Sequence, residues 1–124
     1  MIIKRYNKKV FFPLSEKQAL ISTIKSLNNT QWKSLSLHAR ERLRTKFNND
    51  ILLIQFIGKL KFDYNSLFEY YVINGKIDKL CFEYIFNGYR LKLVINSNKS
   101  LITLWSNNIN DVHSTLDKSL YNMA

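Results

Sequence analysis

The chain has 124 residues, 46% of them hydrophobic, which is enough for one continuous core and too little for two domains that stand separately. Its single cysteine, Cys81, excludes an intramolecular disulfide framework and a thiolate metal centre, so a reducing, cytoplasmic setting is expected. The net charge of +10 is uneven: residues 1–61 carry thirteen Lys or Arg against Glu16, Glu41 and Asp50, whereas residues 62–124 carry six of each sign.

Residues 1–14 read as a basic arm, either a short strand or an extension. Pro13, Glu16 and Lys17 break its apolar run and no small-residue cleavage pattern follows, so mature sequence is expected rather than a signal peptide. Residues 15–60 form a helical half. Ser15, with Gln18 three residues on, marks an N-cap and predicts a first helix from about Glu16 to Leu27. Leu35, Ala39, Leu43 and Phe47 recur every four residues and draw one apolar stripe on a second helix. Asp50 then caps a third helix in "ILLIQFIGKL", expected to be largely buried and to end near Gly58. That run falls well short of the roughly 20 residues a membrane span needs, and no membrane partner is expected.

From residue 62 to 106 the period changes. "LFEYYVI", "KLCFEYIF", "YRLKLVI" and "LITLW" are β-branched or aromatic runs separated by Asn74-Gly75, Asn87-Gly88 and "SNKS". A two-residue type I′ turn at Asn87-Gly88 pairs Phe86 with Tyr89, Tyr84 with Leu91 and Phe82 with Leu93. One face then carries Leu80, Phe82, Tyr84, Phe86, Tyr89, Leu91, Leu93 and Ile95. The other carries Cys81, Glu83, Ile85, Arg90, Lys92 and Val94, with Glu83 opposite Lys92. A turn at "SNKS" is expected to pair Ile95 with Ile102 and Leu93 with Leu104, placing Thr103 and Trp105 beside Val94 and Lys92. Val112, Leu116, Leu120 and Met123 predict a short closing helix over 110–122. The expected fold is therefore α+β: N-terminal helices packed on a four-stranded antiparallel β-meander, with a short C-terminal helix, all in a single domain.

The basic half implies a polyanion-facing surface, because Lys and Arg that neutralise phosphates release condensed counterions. A solvated face that aids solubility is the alternative. On the second helix His38 and Arg42 lie one turn apart on one edge of the stripe, and Arg40 and Arg44 lie on its other edge, with Lys46 near the end. An imidazole exchanges protons near neutral pH and a guanidinium forks onto phosphate, a minimal kit for cleaving RNA at its own 2′-hydroxyl. Arg90, Lys92, Thr103 and Trp105 share a sheet face where phosphates and a stacked base would find partners. No metal or other cofactor is expected: His38 and His113 are far apart, Cys81 stands alone, and clustered carboxylates are missing. Glu41 is a prospective intrahelical partner of Arg44 or Thr45, and Cys81 reads as a small hydrophobe.

"SLHARERL" followed by a further helix and by strands ending in "SLITLW" resembles a family of small domains with an S-x-H-A-x-x-R helix. That family is grouped with the barnase, EndoU, colicin and RelE-like ribonuclease superfamily, whose general layout BrnT-like toxins share. The matching residues here are Ser36, His38, Ala39 and Arg42, then Thr103 and Trp105. The resemblance implies a metal-independent endoribonuclease toxin that binds RNA and is neutralised by a cognate acidic antitoxin or immunity protein. In that reading His38 exchanges protons, Arg42 and Arg90 hold phosphate, Thr103 assists, and Arg40, Arg44, Lys46, Lys92 and Trp105 bind the nucleic acid. Two rival readings use the same basic face: a non-catalytic nucleic-acid-binding or regulatory protein of mobile-element origin, and a basic factor that docks on an acidic protein.

Overall fold

The computed structural model describes residues 2–110 and 118–122 of the chain. In chain order the elements are β1 (Ile3–Asn7), α1 (Lys17–Asn28), β2 (Ser34–Leu35), α2 (Leu37–Phe47), α3 (Ile51–Lys59), β3 (Leu67–Ile73), β4 (Lys76–Phe86), β5 (Tyr89–Asn96) and β6 (Ser100–Asn108). Short 3-10 turns occur at Leu14–Glu16, Tyr64–Ser66 and Lys118–Leu120. The fold is α+β, but its sheet is six-stranded and mixed, in the order β1-β3-β4-β5-β6-β2, and not a four-stranded antiparallel meander. Strands β3 to β6 run as successive antiparallel neighbours. The basic arm adds β1 antiparallel to β3, and Ser34–Leu35 add β2 parallel to β6.

Layering follows from which residues alternate inward. Leu80, Phe82, Leu91, Leu93, Ile95, Leu101 and Leu104 face the helices and join Leu20, Ile24, Ala39, Leu43, Leu53 and Ile57 in one core. The I′ turn at Asn87-Gly88 sets the β4–β5 register as its sequence dictates, with Glu83 across from Lys92. The next pairing differs. Leu93 faces Leu104 and Val94 faces Thr103, but Ile95 faces Leu101 rather than Ile102, because a bulge intervenes. The extra residue lets Leu101 and Leu104, three apart, both reach the core.

Three local expectations are corrected. Ser15 does not cap α1, which begins at Lys17 behind a 3-10 turn with no side-chain cap. Leu35 pairs with Leu101 in β2 instead of joining the α2 stripe. α3 is not buried all round: Leu53 and Ile57 are sealed, but Ile51 and Leu52 stay 62% and 65% exposed, since a helix lying on one sheet buries only one stripe. Most of the closing helix expected over 110–122, with His113, lies outside the described residues. No helix among the described residues is long and apolar enough to cross a membrane.

Candidate nucleic-acid interface

Ser36 organises the start of α2. Its extended backbone and Oγ cap the helix, accepting from the Ala39 N–H at 3.0 Å, while the same hydroxyl donates to the Ile102 carbonyl at the β6 bulge. Its own N–H donates to the Leu101 carbonyl at 2.9 Å. The first turn of α2 is thereby pinned to the last strand, and His38 and Arg42 occupy the helix edge that the core does not cover. His38 is exposed and Arg42 half-buried. Arg44 pairs with Glu41 at 2.8 Å and Thr45 donates to the Glu41 carbonyl, so Glu41 belongs to the helix surface. Lys46 is exposed.

The sheet residues expected to complete a site with His38 lie on the other side of the domain. Arg90, Lys92, Thr103 and Trp105 alternate with Leu91, Leu93 and Leu104, and it is those leucines that face the helices. One catalytic centre built from His38 together with Arg90, Lys92 and Thr103 is therefore not assembled. Lys92 is also withdrawn from any surface. It is 1% exposed, with its ammonium 2.8 Å from Glu83 and 3.1 Å from the centre of the Phe68 ring. Arg90 pairs with Glu83 at 2.8 Å and donates through Nε to the Ile109 carbonyl. Burial raises the Glu83 pKa, but the hydrogen bond and charge of Lys92, joined by those of Arg90, outweigh it and hold the carboxyl below its ordinary value. Cys81, buried on the same face, has its thiol pushed up by burial.

On the helical side the structure gathers cations that the sequence scatters. Two cavities, of about 360 Å³ and about 500 Å³, meet at Trp32 and Gly58. Arg40 and Lys33 border the first, between α2 and α3, and Lys59, Lys61 and Lys99 border the second. None of the described residues lining either cavity is acidic. Lys61 reaches the end of α1, where Nζ donates to the Asn28 carbonyl at 3.3 Å, and the Asn28 side chain clamps both polar groups of the Phe62 backbone. Lys99 is held in left-handed conformation at the β5–β6 turn, and its Nζ donates to the Thr30 carbonyl at 2.8 Å, 5.3 Å from the centre of the Trp32 ring. Lys99 is buried, and burial, then the Lys61 charge, lowers its pKa. Trp32 is half-buried, edge-on to Phe62 at 5.9 Å.

Comparison with known proteins returns no match: no family model, no curated protein and no solved structure is significantly similar to the chain. The likeness carried by Ser36, His38, Ala39, Arg42, Thr103 and Trp105 thus rests on those residues alone. Of the expected site residues, only Arg40 lines the Trp32 groove. Trp32, Lys33, Lys59, Lys61 and Lys99 were not legible as a group. Their one local signal is a tryptophan set in the polar stretch "NNTQWKS", where a core residue is out of place.

Proposed function

We propose that the protein binds RNA without cleaving it, through the Trp32 groove on its helical side. The observation that carries this reading is the convergence of Lys33, Arg40, Lys59 and Lys61 around one half-buried indole, with the buried Lys99 ammonium beside it and no acid among the described lining residues. Cations along a groove track phosphates, and an aromatic face accepts a base of any sequence. Fluorescence anisotropy of a labelled RNA strand over a salt series tests it. Affinity falls with salt, and Ala at Lys59 and at Lys61 each shallows the log–log slope by about 0.7, the step for one phosphate contact on a single strand. Binding that ignores salt, or is unchanged in the double variant, removes the groove from the interface.

A second reading is favoured by the Ser36 anchor, which leaves His38 and Arg42 on one open helix edge. There His38 would move a proton between the 2′-hydroxyl and the leaving oxygen while Arg42 steadies the phosphorane charge. A toxin of that kind needs a tightly bound acidic antitoxin or immunity protein. The same RNA, incubated in EDTA with wild type and with His38→Ala, separates the readings. Cleavage by wild type alone supports the ribonuclease, and intact RNA with retained binding supports the binding protein.

A further inference from the structure

We infer that the groove selects single-stranded nucleic acid by taking one unstacked base into the apolar cavity between α2 and α3. The inference rests on the nucleic-acid reading above and adds the form of the ligand. The two cavities that meet at Trp32 and Gly58 differ in character, the first mainly apolar with Lys33 and Arg40 at its border, the second mainly basic. Leu35, Leu43, Ile54, Ile57 and Leu101 wall the first, and Lys59, Lys61 and Lys99 line the second. A single strand has the same division, with a flat, largely apolar base on one side and a phosphate on the other. A duplex offers its phosphates but keeps its bases stacked inside, so it satisfies only the basic cavity.

Gly58 supplies an independent observation. Gly58 is the penultimate residue of α3, in the last turn, where helix ends fray. Unlike Gly75 and Gly88, which have φ of +79° and +80° in tight turns, Gly58 has no positive φ. Nor does packing require it, because a Cβ built there meets no atom within 4 Å. What glycine provides at this point is open space where the apolar and basic cavities join. Ile54, on the same helix, keeps 37% of its surface exposed along that opening. A base passing Gly58 would cover Ile54 and lie against Trp32 while its phosphates stay on the exposed Lys59 and Lys61.

The experiment compares a 12-nucleotide RNA strand with the same strand annealed to its complement, binding to the full chain and to Gly58→Leu. The wild type favours the single strand by about tenfold or more, the order expected when one base stacks on an aromatic side chain. In Gly58→Leu single-strand affinity drops to the duplex level, while duplex affinity and its salt slope are unchanged. A readout that needs no cavity variant is Trp32 emission in a Trp105→Phe background, quenched by the strand and not by the duplex. Equal wild-type affinity for both forms, or a folded Gly58→Leu that keeps the preference, overturns the inference and leaves the binding reading standing. Affinity for neither form overturns the binding reading itself.

Discussion

Glu83 is the residue on which the far face of the sheet depends, because it balances two cations, one of them sealed from water. Removing one partner of a buried pair leaves the other charge uncompensated, at a cost of about 3–5 kcal/mol, whereas replacing both with apolar groups is often neutral. Glu83→Gln is therefore expected to lower the unfolding free energy by roughly that amount near pH 7. Glu83→Leu/Lys92→Met recovers most of it, as read by urea unfolding. A single variant within 1 kcal/mol of wild type would refute the role. The pH dependence has a definite sign. The carboxyl titrates near 4.3 in the unfolded chain and lower in the folded one. Its stabilisation is present above the unfolded value and is lost as pH falls through the folded one, a slope that Glu83→Gln lacks. The Glu83–Lys92 pairing was legible, since Asn87-Gly88 sets the register. Its burial was not, because Phe68 reaches Lys92 from a register shift in β3 that leaves no local mark in the sequence.

At the scale of elements, Ser36 joins a helix to a strand 66 residues away in sequence. Its cap on Ala39 is worth about 1 kcal/mol and its bond to the Ile102 carbonyl a similar amount. Ser36→Ala is expected to cost about 1–3 kcal/mol by thermal or urea unfolding, and Ser36→Thr, which keeps the hydroxyl, less than half of that. If alanine costs nothing, the hydroxyl does not fasten α2 to β6. The cap was hidden by a four-residue apolar spacing that drew Leu35 into the helix. Leu35 instead pairs with Leu101, an interaction between distant segments that periodicity does not register. The same limit explains the missed outer strands: β1 and β2 are specified by partners elsewhere, whereas β3 to β6 are joined by short turns with local signals, Asn74-Gly75, Asn87-Gly88 and "SNKS".

For the molecule as a whole, the excess of positive charge in residues 1–61 was readable, but the groove was not, because it takes its cations from four separate places. Lys33 comes from the α1–β2 connection, Arg40 from α2, Lys59 and Lys61 from the end of α3, and Lys99 from the turn before β6. Only the packing of α2 and α3 side by side on the sheet closes them around Trp32. Like charges held close together repel, and a polyanion would relieve that repulsion. RNA at 100 times its Kd is thus expected to stabilise the fold by about 2.7 kcal/mol, a rise in thermal midpoint on the order of 10 °C that shrinks as salt is added. Lys59→Ala/Lys61→Ala should lose most of that rise. Arg90→Ala, altered on the far face of the sheet, should keep it relative to its own RNA-free midpoint. The reverse pattern, with the rise lost in Arg90→Ala and kept in the lysine variant, would move the interface to the Glu83–Lys92 face and leave the Trp32 groove without a polyanion to hold.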